Sequence, residues 1–140
     1  PTVSCLLDLR STDEQSLQRL SERVVRLAAK HSRPDGVTVT LETIGERPAG
    51  VVAVDSPVVK MATATLNVLG VDATLDASST DANVPIAAGI PAVCIGLTSG
   101  GNVHRVDEYI DTIAVPTGLA QLGLLSLAVC ELLAANVIQI

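Results

Sequence analysis

Aromatic side chains are almost missing from this sequence. Its 140 residues include no Trp, no Phe and one Tyr, Tyr109. Base-stacking platforms, aromatic cages and most aromatic hot spots are thereby excluded. Positive charge is scarce too, with 9 Lys and Arg against 15 Asp and Glu and a net charge of −6. Nucleic-acid binding needs clustered cations to meet phosphates. Here the cations are scattered, and Arg19, Arg23, Arg26, Lys30 and Arg33 group only as a helix face. Cysteine is limited to Cys5, Cys94 and Cys130, an odd number at wide spacing. That pattern encodes neither a zinc ribbon nor a redox CxxC pair. Each lies in an apolar run and reads as a buried thiol in a reducing compartment. No basic segment followed by an apolar core opens the chain, so no secretion signal is read. The most apolar stretch, 119–135, is interrupted by Gln121 and Glu131. It falls short of the ~20 clean apolar residues of a membrane span. The expectation is a soluble, cytoplasmic protein with neither a nucleic-acid nor a membrane partner.

Hydrophobic residues make up 48% and charged residues 17%, which excludes a self-repelling disordered chain. The length suits one domain or two small lobes. The first third reads strand, helix, strand. Residues 2–9 form the first strand. Ser11 and Glu14 have the spacing of a capping box. The helix after it places Leu17, Leu20, Val24, Leu27 and Ala28 on one buried stripe. Pro34, Asp35 and Gly36 signal a turn, and the β-branched run 37–44 a second strand. After a break near 45–55, Pro57 opens a second helix that reaches Leu69, with Gly70 as its C′ residue. A strand near 73–77, a polar turn at 78–83 and a short helix over 84–88 follow. Residues 90–97 read as a central strand covered on both faces. Tyr109, Ile110 and Asp111 suit a short extended piece. The final helix, 116–135, is apolar nearly all round and should be buried.

The expected fold class is α/β, in two parts, 1–50 and 51–140. Both halves look incomplete, because two or three strands cannot cover the apolar surface of these helices. Part of the structure is expected to be missing or supplied by another chain.

Of the two histidines, His31 ends an amphipathic helix, where a cation suits the dipole. His104 follows Ser99, Gly100, Gly101 and Asn102 and precedes Asp107 and Glu108, just beyond the apolar strand. Sites in open α/β sheets form at the carboxyl ends of strands, so His104 reads as a metal ligand or general base, or as an ordinary loop residue. The run Ser79 to Asn83 reads either as a helix cap or as polar lining, with Asp81 and Asn83 facing the cleft of His104. Arg10 reads as a surface cation or as a clamp for a carboxylate. No GxSxG elbow, Walker loop or HExxH is present;.

The run SSTDANVPIAAGIPAVCIG, followed by GGNVHRVDEYID, resembles the C-terminal end of the M20 family of zinc metallopeptidases, which includes aminoacylases, carboxypeptidases and tripeptidases. The segment before it, with LDLR and GERPA, is similar to the second half of that family's lid, or dimerisation, domain. The resemblance implies that residues 1–50 are half of a ferredoxin-like lid βαβ and that 51–140 are the C-terminal α/β part of the catalytic domain. It implies His104 as a ligand of one zinc in a two-zinc site and Arg10 as the grip on a substrate carboxylate. Asp81 and Asn83 would line the cleft, and Gly100 and Gly101 would let backbone amides approach the substrate. The implied substrate is a peptide or N-acyl amino acid, and the implied partner is a second copy paired through the lid strands. The family's His-x-Asp motif, Glu-Glu pair, remaining carboxylate ligand and lid His are not in this sequence, and Arg105 stands where Thr or Ser follows the metal His. A catalytic zinc takes three protein ligands and a water, so one ligand is too few. The expected general base is a Glu outside this chain. The expectation is the C-terminal portion of a peptidase or deacylase, inactive alone. The competing readings are a non-catalytic interaction or dimerisation module and a small-molecule-binding regulatory domain.

Overall fold

The structure, a computed structural model, describes residues 1–137. In chain order these form α1 (Glu14–His31), α2 (Pro57–Val68), α3 (Asn83–Ala87), β1 (Gly100–Gly101), β2 (Tyr109–Ile110) and α4 (Val115–Ala134). They divide into two compact units, Pro1–Val51 and Val52–Ile140.

In the first unit, Asp13 is the N-cap of α1 and accepts from the Ser16 amide at 2.7 Å. Ser11 instead accepts from the amide of Asp13 at 3.1 Å, so it supports the capping residue rather than capping the helix. Glu14 does not reach back as a capping box requires. Its carboxylate accepts from the Ala49 amide at 2.8 Å. The expected turn forms at the other end, where Arg33 donates to the Val37 carbonyl and Gly36 to that of Arg33. The Ser32 hydroxyl accepts from the Val39 amide at 3.1 Å. The apolar stripe of α1 is not buried as expected. Leu17, Val24 and Ala28 are half-buried, whereas Leu20 and Leu27 are exposed.

In the second unit α2 packs on α4. The fully buried residues are few: Val59 and Thr65 of α2, and Gly118, Gln121 and Leu125 of α4. Gln121 is 1% exposed and donates from Nε2 to the Ala62 carbonyl at 3.3 Å. The Thr65 hydroxyl donates to the same carbonyl at 3.0 Å. Three helices end alike. Gly70, Gly89 and Asn136 take positive φ, and each following amide bonds back into the last turn (Val71 to Leu66, Ile90 to Pro85, Val137 to Leu132). This is the left-handed C′ termination, which glycine adopts without a Cβ penalty and asparagine tolerates.

The expected α/β fold does not form. Among the described residues the one sheet is the two-stranded antiparallel pair β1–β2, and the chain is mostly helical. Residues 2–9, 37–44, 73–77 and 90–97 enter no ladder. Neither a ferredoxin-like lid βαβ nor an α/β catalytic part is therefore present. A helix closes its hydrogen bonds within its own sequence, whereas a strand exists only by exchanging bonds with a neighbour. A β-branched run makes a surface that fits a sheet and cannot supply the neighbour.

Two further expectations are corrected. The three thiols are free and exposed rather than buried. Helix α4 is not buried either: Leu119, Leu122, Leu124 and Leu127 are all exposed. It is also long and apolar enough to cross a membrane by length and composition, although Gln121 within it is held against α2.

Candidate functional site

The loop around His104 is built by the β1–β2 hairpin. Gly100 pairs with Ile110 and Gly101 with Tyr109. The base of the hairpin is fastened twice: the Asp111 amide donates to the Ser99 carbonyl at 2.8 Å, and the Thr98 hydroxyl donates to the Asp111 carbonyl. A Cβ on Gly100 would run into the Tyr109 carbonyl, and one on Gly101 would meet the Tyr109 ring at 2.9 Å. Close approach of the two strands is therefore sufficient reason for both glycines.

Between the strands the chain turns through two left-handed residues, Asn102 (φ 58) and His104 (φ 66). Asn and His are among the non-glycine residues most often found there. Asn102 donates from Nδ2 to Asp107 Oδ2 at 3.0 Å. Arg105 straps the same carboxylate, with Nε to Oδ1 at 2.9 Å and Nη2 to Oδ2 at 3.1 Å. The His104 amide donates to Glu108 Oε2 at 3.2 Å. The acidic side chains beside His104 are thus engaged inside the loop, while the histidine itself is exposed. Asn102 was not singled out in the sequence. Its signal was there: a small amide residue after two glycines, in a loop that must reverse.

The turn at 79–83 is not a helix cap in the expected sense. The N-cap of α3 is Ala82, and no side chain caps it. Asn83 Oδ1 instead accepts from the Thr80 amide at 2.8 Å, and the Thr80 hydroxyl accepts from the Ala82 amide at 3.2 Å. Asp81 is exposed. Helix α3, which starts at Asn83, packs against no other helix or strand among the described residues. Asn83 is therefore not packed with Gly100 and Gly101 of β1.

Arg10 belongs to the first unit. It grips Asp8 Oδ2 through Nε at 2.9 Å and Nη2 at 2.6 Å. This hydrogen bond, with the guanidinium charge, holds the Asp8 carboxyl below its ordinary value, and Asp8 holds Arg10 above its own. Both side chains are about two-thirds exposed, 67% and 65%, so water and salt screen the pair. Its geometry shows that Arg10 can take a carboxylate.

A zinc site was tested against these donors. No group of three or more His, Cys, Asp or Glu is placed to hold a metal ion among the described residues. Asp107 is engaged by Arg105 and Asn102, and one oxygen of Glu108 by the His104 amide. The residues present do not fit a zinc site, and no chemical step is routed through one. A groove of ≈ 220 Å³ lies between α2 and α4, lined by Ala64, Thr65, Val68, Leu124 and Ala128. None of the candidate residues lines it.

Compared with protein-family models, with curated proteins and with solved structures, the chain gives no match.

Proposed function

We propose that this chain is a portion of an amide hydrolase of the M20 zinc-metallopeptidase type, acting on a peptide or an N-acyl amino acid, and that it has no activity by itself. The observation that carries the reading is the residue run 78–111, with His104 exposed at the tip of a hairpin. In this reading His104 is one metal ligand of a two-zinc parent enzyme, and the remaining ligands and the general base lie outside the chain. Arg10 takes the substrate carboxylate in place of Asp8. Asp81, Asn83, Gly100 and Gly101 contribute polar lining and backbone. The reading keeps a cytoplasmic, homodimeric parent. A second reading, a non-catalytic interaction module, draws on the exposed leucines of α4.

The upstream coding sequence discriminates between the two, by the presence or absence of His-x-Asp and Glu-Glu motifs. With the joined protein in hand, His104→Ala should remove one zinc and most activity, since a lost ligand also removes charge stabilisation of the developing oxyanion. Arg10→Ala should weaken substrates with a free carboxylate far more than amidated ones. Full activity with both metals retained in the His104 variant would reject the assignment.

A further inference from the structure

Residues 92–96, Ala-Val-Cys-Ile-Gly, carry an almost unbroken apolar strand pattern and yet enter no ladder. No backbone amide or carbonyl in this run is hydrogen-bonded among the described residues. Buried and half-buried peptide groups are nearly always paired, because an unmade bond leaves the desolvation cost uncompensated. Ala92, Val93 and Ile95 are half-buried, whereas Cys94 and Gly96 are exposed. The next residue, Leu97, has its backbone pressed against Gly118 of α4, so the run is backed by the helix pair.

Two observations choose the occupant of this unpaired edge. The first is self-complementarity. Antiparallel pairing about a two-fold axis places residues of constant summed number opposite one another. With Cys94 opposite Cys94 of a second copy, Val93 faces Ile95 and Ala92 faces Gly96. Branched then meets branched and small meets small, the cross-strand matching that stabilises a sheet. A slip of one residue would set Ala92 against Ile95 and exchange the two faces. The second is area. The chain exposes 10968 Å². A folded monomer of this size exposes about 6,800 Å², and two separate bodies of the sizes of its units about 8,200 Å². The surplus is ample for an obligate two-fold contact, which takes about 1,000–2,500 Å² from each chain.

We propose that the chain self-associates through antiparallel pairing of residues 92–96 with the same residues of a second copy, about a two-fold axis at Cys94. Paired residues on such a ladder lie about 4.5–5.5 Å apart at Cα, within the range of about 4.4–6.8 Å that a disulfide spans. The exposed Cys94 therefore reports the pairing directly. Three single-cysteine chains, keeping Cys94, Cys5 or Cys130 with the other two as Ser, are treated with diamide. The diamide takes up the two electrons and two protons released as two thiols join. The Cys94 chain should form covalent dimer at least about tenfold faster than the other two, because only its thiols are held at bonding distance. Sedimentation velocity of the reduced wild-type chain should show a dimer at micromolar concentration, and Ile95→Pro, which deletes a ladder donor, should sediment as a monomer. Cross-linking at Cys94 no faster than at Cys5 or Cys130, or a wild-type monomer at every concentration, would overturn the proposal. The cross-linking rates decide even if the proline variant does not fold.

Discussion

Gly118 and Gly123 sit five residues apart in the same helix and should respond oppositely to the same substitution. Alanine is the better helix former, by about 0.5–1 kcal/mol in a helix interior. At Gly123 a Cβ meets nothing within 4 Å, so Gly123→Ala should stabilise the second unit by about that amount. At Gly118 the added Cβ would fall on the backbone of Leu97, which cannot swing aside as a side chain can. Overpacking of this kind costs about 1–3 kcal/mol, which outweighs the helical gain. Gly118→Ala should therefore lower the denaturation midpoint while Gly123→Ala raises it, both followed by far-UV circular dichroism. A rise with both would show that residue 97 is not packed on α4. Gly118 was not picked out in the sequence, although an isolated glycine inside a helical pattern is a known sign of close approach. Gln121 was noted only as a polar interruption. In the structure it ties α4 to α2.

The helices were legible at the level of elements because their information is local. Ser56 and Pro57 open α2, Gly70 closes it, and the observed element, Pro57–Val68, lies within a residue or so of the expected span. The final helix was similarly placed. The strands were not, because periodicity in 2–9, 37–44 and 90–97 describes a face and says nothing of whether another strand is available to receive it. The site was legible in part: the loop and hairpin about His104 form, but the ligand partners do not. Capping shows how local competition decides a detail. Asp13, not Ser11, holds the first turn of α1, and bonds from the Ser16 hydroxyl and amide keep the Asp13 carboxyl below its ordinary value of 3.8. Because the folded value is depressed, the contribution of this cap is fully present above about 4 and is lost as pH falls through the folded value. The helicity of α1 should decline over that acid range. Asp13→Asn, which caps without titrating, should flatten that part of the far-UV profile. An unchanged acid slope in the variant would remove Asp13 from the capping role.

Across the whole molecule, side chains with an apolar character far outnumber places to bury them. Val59 and Leu125 are the fully buried large hydrophobic residues among those described, while Leu6, Ile44, Val54, Ile113 and many others are exposed. Burial at about 25 cal/mol per Å² is the main source of folding stability, so a chain with this surface gains by association. The chemistry tells the same story of parts without a whole. His104 stands exposed, but the nearby carboxylates are bonded elsewhere in its loop, and Arg10 is occupied by Asp8. The account therefore holds that the chain contributes to a hydrolytic site and does not contain one. Zinc titration of the isolated chain by calorimetry, with hydrolysis of a dipeptide and of an N-acetyl amino acid followed on the same samples, tests this most directly. The expected result is no tight binding and no turnover with either substrate. Submicromolar zinc affinity accompanied by turnover would contradict it.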